Sequence, residues 1–313
     1  MILTNVRLGY ACINTELRKK NIFMSRTCRL ETIKTKGLDY VYSLVYQNLA
    51  DLKTIIEWNF KNDIFVFRLS SEIFPFATHK DYFNTFDLNQ FKVLLQEIGN
   101  LAVKYNQRLS FHPGHFTQLS SHRDSVVVNS IREIDFHAKI LDLIECSKDS
   151  VIVLHGGTKQ GGKDASLLRF KENYKKLSTS SRDRIVLENC ETCYTIKDLI
   201  PISEELQIPI VIDLHHHAIN SGNIKSDNHL LEIITSKIFK VWDNRSMKPK
   251  LHLSESRPGV KITDNITIRR AHADYITFIP NVIIELNKII TFDLMIEAKM
   301  KEDSLRLIKK FSL

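Results

Sequence analysis

The stretch IPIVIDLHHHAIN, residues 208–220, decides the fold. Ile208, Ile210, Val211 and Ile212 surround Pro209 and run into Asp213, followed by His215, His216 and His217. Shortly before it, RIVLEN (184–189) repeats the arrangement, with Ile185, Val186 and Leu187 leading to Glu188. An apolar, β-branched run reads as a strand buried on both faces, as in a parallel sheet. A carboxylate or imidazole at the end of such a strand is costly to bury unless something neutralises it. A divalent metal does so, because carboxylate oxygen and neutral imidazole nitrogen are its common ligands.

Outward from this stretch the same pattern recurs in VRLGYACI (6–13), IFVFRLSS (64–71), RLSFHPG (108–114), SVIVLHGG (150–157), KPKLHLSES (248–256) and FDLMIEAK (292–299). Between the strands, apolar residues fall at helical spacing. Val41, Leu44, Val45, Leu49, Leu52, Ile55 and Ile56 do so over residues 39–61. Further helices are expected from Asp87, a plausible N-cap, and over 124–145, 163–177, 195–206, 228–239 and 273–290, with a short basic helix at the end. A polar, basic loop is expected from Asn14 to about Lys36. Eight strand–helix units point to an α/β fold, a closed (β/α)8 TIM barrel in a single domain over residues 1–313. A doubly wound open sheet is the competing fold, but GYACIN lacks a Gly-rich nucleotide loop after the first strand.

Hydrophobic content of 43% and charged content of 26% are those of an ordinary soluble protein. The formal charge of +8 favours an anionic partner. Five scattered cysteines, an odd number, read as a reduced intracellular protein and not a disulfide scaffold. Cys190 and Cys193 form a lone CxxC, without the second pair that a zinc ribbon needs. No run approaches the roughly 20 apolar residues of a membrane span, so no membrane partner is expected. MILTNVRLGY lacks the layout of a signal peptide.

The expensive residues fall at strand ends. His112 ends LSF, His155 ends VIVL, Glu188 ends IVL, Asp213 ends IVI, His252 follows KPKL and Glu297 ends LMI. The C-terminal ends of barrel strands open onto one face, so these residues converge. Together they exceed one tetrahedral site and suggest two or three adjacent ions, Mn²⁺ or Zn²⁺ by the mixture of imidazole and carboxylate. Such clusters suit phosphoryl chemistry, in which one ion activates water and its neighbours stabilise the transition state and leaving oxygen. The basic balance fits a phosphodiester of DNA or RNA. A Mn²⁺-dependent sugar isomerase or epimerase on the same barrel would need fewer ligands and no basic rim.

At these residues the sequence resembles the UV damage endonucleases, metal-dependent (β/α)8 repair enzymes related in architecture to endonuclease IV. The resemblance runs from GYACIN to IEAK. It rests on TCRL (27–30), NLADL (48–52), FRLSSEIFPFATH (67–79), LSFHPGHF (109–116), VLHGG (153–157), LEN (187–189), IDLHHHAIN (212–220), KLHLSESRPG (250–259), AHADYI (271–276) and MIEAK (295–299). It implies hydrolysis of the phosphodiester immediately 5′ of cyclobutane pyrimidine dimers and 6-4 photoproducts, with abasic sites as further substrates, by a multi-metal hydroxide mechanism.

The ligands implied are His112, His155, Glu188, Asp213, His216, His252, His272 and Glu297, around a cluster of Mn²⁺, with Zn²⁺ or Mg²⁺ as alternatives. Glu188, Lys250 and Glu297 are the catalytic residues implied, Lys250 matching a lysine at the metal centre that can be chemically modified in relatives. If the strand continued past Asp213, His215 and His217 would share its face; His216 qualifies only if the chain turns after Leu214. His272 is expected at a helix start. Family members wedge a polar–aromatic pair, commonly Gln-Tyr, into the duplex; here the pair is His115-Phe116. Tyr10 and Asn14 match residues that face the lesion and the scissile region, and Arg257 is a candidate phosphate contact. Arg26, Arg29, Lys34, Lys36, Lys159, Lys163, Lys261, Arg269 and Arg270 are further loop cations at the same end. The partner implied is damaged double-stranded DNA, bound by a monomer, in the cytoplasm of a prokaryote or a nuclear or virus-associated site otherwise. An abasic-site endonuclease of the endonuclease IV type is the alternative.

Overall fold

The computed structural model describes residues 3–312. Each apolar run becomes a strand: β1 Val6–Ala11, β2 Val66–Arg68, β3 Arg108–Ser110, β4 Ile152–His155, β5 Ile185–Glu188, β6 Ile210–Asp213, β7 Lys250–Leu253 and β8 Phe292–Ile296. All pairings are parallel, in the order β3-β2-β1-β8-β7-β6-β5-β4. Phe111 closes the ring. It bridges Ile152 in parallel, donating to Val151 O (3.0 Å) and accepting from Val153 N–H (3.0 Å). The fold is therefore the (β/α)8 barrel. Val186, Leu187, Val211 and Ile212 are buried, as strands covered on both faces require.

The outer layer follows the expected helices, with departures at both ends of the chain. The loop from Asn14 to Lys36 contains a short helix α1, Thr15–Lys19, whose first turn is capped by the Asn14 side chain accepting from Leu17 N–H (2.8 Å). The long helix α2 already begins at Leu30 and runs to Lys61, broken at Gly37, where φ is +75°. That conformation is open to glycine at little cost. Asp87 caps as expected, accepting from Asn89 N–H (3.0 Å) at the short 3₁₀ turn that leads into α3, Lys92–Lys104.

Helices α4 (Asp124–Leu143), α5 (Lys163–Tyr174), α6 (Thr179–Arg184), α7 (Ile196–Leu206), α8 (Leu214–Ile219), α9 (Asp227–Ile233) and α10 (Phe239–Asn244) follow. After α11, Ile266–Arg269, the helix expected over 273–290 reduces to α12, Asn281–Ile289. Its missing first half has a physical cause. Glu255 takes the N–H groups of Thr277 (2.6 Å) and Phe278 (3.1 Å), and Ser304 Oγ takes that of Ile276 (3.0 Å). Backbone donors captured by side chains are lost to a helix. The chain ends in α13, Lys301–Ser312.

The N-terminal end of the barrel is sealed by one buried carboxylate. Asp293 in β8 accepts from Arg7 Nε (2.8 Å) and Nη2 (3.0 Å) and from Arg108 Nη1 (2.9 Å). Burial opposes its ionisation, but Arg108 and Arg7 outweigh burial and hold the carboxyl below its ordinary value. Its contribution to stability is thus fully present above the unfolded value near 3.9 and lost as pH falls through the lower folded value. Asp293→Asn should lower the unfolding free energy by about 3–5 kcal/mol at pH 7, by denaturant titration. The gap between variant and parent should narrow as the pH drops below about 4.

Candidate metal centre at the barrel mouth

The strand register puts the ligand-type residues at one level. His155 lies opposite Glu188 in the β4–β5 pair, and Asp213 lies opposite His252 in the β6–β7 pair. Glu297 follows β8, and His112 lies two residues beyond β3. Glu188 is the hub. Its Oε2 is 2.8 Å from His112 Nε2 and 3.4 Å from His155 Nε2, and its Oε1 is 2.5 Å from His252 Nδ1. His252 Nδ1 is also 3.1 Å from Glu297 Oε1.

Two groups of side chains each bring their ligand atoms within 4.8 Å of one another: His112, His155 and Glu188, and Glu188, Asp213, His252 and Glu297. Both could hold a metal ion, and Glu188 belongs to both. The polar atoms left over fit that reading. Asp213 Oδ2 and His155 Nδ1 are buried with no hydrogen-bond partner among the described residues. Burial pushes the His155 imidazole down to about 3 and that of His252 to about 4, so both are neutral, the form that binds metal. Burial also raises Asp213 to about 7, against the pull of His216 and with Glu188 and Glu297 adding to the rise.

The three consecutive histidines separate. Asp213 caps α8 by accepting from His216 N–H (2.7 Å), so the chain turns directly after the strand. That turn carries His216 to the cluster, with its ring 5.7 Å from that of His155. His216 Nδ1 donates to Asn189 O (3.0 Å), and its Nε2 lies 3.7 Å from Glu191 Oε2. Burial opposes a charge on His216, but Asp213, Glu188 and Glu191 outweigh it and raise the imidazole to about 9. His215 packs against His272 (5.5 Å between ring centres, edge-on). His217 lines a separate cavity with Ser221, Asp227 and Asn281.

His272 is not at a helix start. It lies in an irregular segment, bridged to Ser256, with its Nδ1 donating to Glu297 O (2.6 Å). Neither His216 nor His272 belongs to the two groups of converging ligand atoms.

Three residues that sequence reading passed over are built into the site. Arg68 of β2 is buried; its Nη2 pairs with Glu297 Oε1 and lies 3.5 Å from His252 Nε2. Asn189 clamps β6 through Asp213 N–H (2.9 Å) and Asp213 O (3.0 Å). Glu191 joins His216 to Arg270 (3.3 Å). A charge inside the apolar strand VFR was the available signal for Arg68. Lys250 is fully buried, with Nζ donating to Ser110 Oγ (2.8 Å). Burial, reinforced by Arg68 and Arg108, pushes its amine well below the ordinary lysine value.

The residues read as facing DNA divide. Tyr10 and Asn14 are buried, not presented at the mouth. The Tyr10 hydroxyl donates to Asn59 Oδ1 (2.7 Å) and accepts from Asn14 Nδ2 (2.9 Å), and Asn14 Oδ1 is spent on capping α1. Phe116 is 93% exposed, and the ring of His115 beside it packs tilted against that of His155, 4.8 Å between centres. Arg257 is exposed. Arg26 is committed to Asp51 (2.6 Å), and Lys163 to Asp198 (2.6 Å).

Barrel, converging histidines and carboxylates that could hold metal ions, and an exposed aromatic define a (β/α)8 protein with a candidate metal centre at one open face. The family described as UV-endonuclease UvdE matches residues 6–313, and the chain belongs to that family. It is 42% identical over 305 residues to the UV-damage endonuclease of Schizosaccharomyces pombe, covering 95% of this chain and 49% of the relative. It is 36% identical over 273 residues to a UV DNA damage endonuclease of Bacillus cereus, covering 86% and 82%. The chain thus spans about half the length of the S. pombe relative. The crystal structure of SacUVDE superposes with a TM-score of 0.82 at 31% identity, over 98% of this chain and 99% of that one. Endonuclease IV from Thermus thermophilus shares the fold (TM-score 0.54, 11% identity, 83% and 93% covered).

Divalent metal added to chelator-stripped protein should raise Tm with the logarithm of the ligand excess, adding about 2.7 kcal/mol of stability at 100 times Kd. Differential scanning calorimetry reads the shift. Glu188→Gln should remove most of it, since both ligand groups lose their shared member. An undiminished shift in that variant would refute the sharing.

Proposed function

We propose that the protein is a DNA repair endonuclease that hydrolyses the phosphodiester immediately 5′ of UV photoproducts, cyclobutane pyrimidine dimers and 6-4 photoproducts, with abasic sites also within its range. The observation that carries the proposal is the sharing of Glu188 by two ligand groups at the open end of the barrel, close to the exposed Phe116. His112, His155, Glu188, Asp213, His216, His252, His272 and Glu297 would hold two or three ions, Mn²⁺ first among Mn²⁺, Zn²⁺ and Mg²⁺. Bound there, such ions would supply water activation and charge stabilisation for hydrolysis of a phosphodiester.

The chain's own residues supply placement. Glu188 spaces the ligand groups. Asn189 fixes the level of Asp213 and the ring orientation of His216, the role outer partners play in metal sites. Arg68 holds Glu297 in the barrel mouth. Lys250, whose amine burial holds well below the ordinary lysine value, hydrogen-bonds to Ser110 within the barrel. Phe116 is free to enter the duplex beside the lesion and stack where a base is displaced, with His115 behind it. Arg257 and the remaining loop cations meet the phosphates on either side. The working form is a monomer on damaged duplex DNA, in the cytoplasm of a prokaryote or a nuclear or virus-associated site otherwise.

The test is a nicking assay on end-labelled duplexes carrying a single cyclobutane dimer, 6-4 photoproduct or abasic site, with Mn²⁺, Zn²⁺, Mg²⁺ or EDTA. A cut directly 5′ of the photoproducts, lost in EDTA, is expected. Cutting at the abasic site alone would reassign the protein to an endonuclease IV-like activity. Glu188→Gln should abolish nicking with an unchanged circular dichroism spectrum; near-normal turnover would overturn the metal-centre reading. Phe116→Ala should weaken binding of damaged duplex by about 1–3 kcal/mol, with a smaller loss on undamaged duplex, by fluorescence anisotropy. Equal losses on the two duplexes would remove Phe116 from lesion recognition.

A further inference from the structure

Two cysteines that the metal chemistry leaves unused lie beside the centre. β5 ends at Glu188, and Cys190 to Tyr194 form a tight turn before Thr195 caps α7. Cys190 N–H donates to Tyr194 O (2.8 Å). The Cys190 sulfur in turn accepts from the N–H groups of Cys193 (3.0 Å) and Tyr194 (3.2 Å). Thr192 Oγ1 lies 4.0 Å from the Cys190 sulfur and 3.6 Å from the Cys193 sulfur, so both thiols gather around one hydroxyl. Cys190 is buried, whereas Cys193 is partly exposed. The remaining cysteines, Cys12, Cys28 and Cys146, lie in other parts of the fold, and all five are unpaired. The turn thus brings two sulfurs together by local backbone geometry alone, one of them open to solvent.

The residue inside this turn reaches the metal centre. Glu191 Oε2 lies 3.7 Å from His216 Nε2, and Oε1 lies 3.3 Å from Arg270 Nη1. An S–S bond draws the sulfurs to about 2.05 Å with a restricted dihedral, and it costs the Cys190 sulfur its arrangement under the two N–H groups. The backbone that carries Glu191 must follow.

We propose that Cys190 and Cys193 are a reversible thiol-oxidation site, closed to an intramolecular disulfide by exchange with a low-molecular-weight disulfide of the glutathione type, and that closure displaces Glu191 from His216. The partly exposed Cys193 gives up its proton and attacks one sulfur of the oxidant, releasing a first glutathione thiolate, which takes up a proton. Cys190 then gives up its proton and attacks the Cys193 sulfur, releasing the second glutathione. One S–S bond breaks and one forms, and two electrons pass from the protein to the oxidant. The coupling to His216, though not the disulfide, rests on the reading of that histidine as a metal ligand.

The experiment equilibrates the whole protein in glutathione buffers of graded reduced-to-oxidised ratio, quenches with acid, alkylates free thiols and maps the peptides by mass. Cleavage after Arg184 and Lys197 places both cysteines in one peptide, 185–197. That peptide should lose two hydrogens and resist alkylation before Cys12, Cys28 or Cys146 react, and excess reduced glutathione should reverse the change. In Cys193→Ser it should not lose them. Mn²⁺ titration of the reduced and oxidised proteins should show binding weaker by about tenfold after oxidation, the scale of losing a partner of a metal-binding histidine. Cys193→Ser should bind Mn²⁺ equally with and without oxidant. Failure of the peptide to close at every ratio, or earlier oxidation of another cysteine, overturns the site. Closure with unchanged Mn²⁺ affinity overturns the coupling. Reduced protein that binds no Mn²⁺ overturns the coupling together with the metal-centre reading, and the mass map still judges the disulfide.

Discussion

Glu188 is the constraint on which the mouth of this barrel depends. Its two oxygens meet imidazoles from three different regions of the barrel, His112 after β3, His155 at the end of β4 and His252 in β7. These contacts form only if the sheet closes between β3 and β4, and only in the observed register. A slip of one residue would turn every ligand to the opposite face of its strand. Glu188, Asp213 and Glu297 thus share one buried space in which like charges repel. Arg68 offsets part of that charge at Glu297. The remainder surfaces at Asp213, whose carboxyl rises to about 7 and whose second oxygen accepts no hydrogen bond among the described residues. A divalent cation meets both needs.

The other end of the barrel solves the same problem without a ligand. Asp293 is as buried as Asp213, but two arginines satisfy both of its oxygens. Its carboxyl is held low where that of Asp213 is raised. One pole is electrostatically complete, and the other has a surplus of acceptors. The contrast matches the division of (β/α)8 barrels into a stabilising N-terminal face and a functional C-terminal face. It also locates the site independently of any likeness to relatives.

Around this centre short-range structure does the aiming. Asp213 acts twice, through one oxygen as the cap of α8 and through the other as a free acceptor in the ligand group. Capping α8 turns the chain so that His216, and neither His215 nor His217, reaches the side of His155. Asn189 then fixes His216 from the adjacent strand end. The same short segment goes on through Cys190, Glu191 and Cys193. Ligand, orienting amide, outer carboxylate and thiol pair therefore follow one another within six residues, 188–193.

Much of this was legible in the chain itself. Apolar β-branched runs marked all eight strands because a strand covered on both faces must be continuously apolar, a local property. The polar residues closing those runs marked Glu188, Asp213, His155 and His252 because burying them unpaired is costly wherever they fold. Other features were decided by partners distant in sequence. The segment before α12 was read as helix because its own residues permit one. Glu255 and Ser304, more than 20 residues away, take the backbone donors that a helix would need. Tyr10 was read as facing the lesion, yet Asn59 on α2 draws its hydroxyl inward. Arg68 acquires its role only when closure of the barrel brings β2 against Glu297 and His252. The sequence by itself determined the strands and the kind of chemistry at their ends, since those follow from what each residue costs to bury. The tertiary structure alone decided which side chains touch, because hydrogen bonds and ion pairs depend on distances set only once the ring is closed.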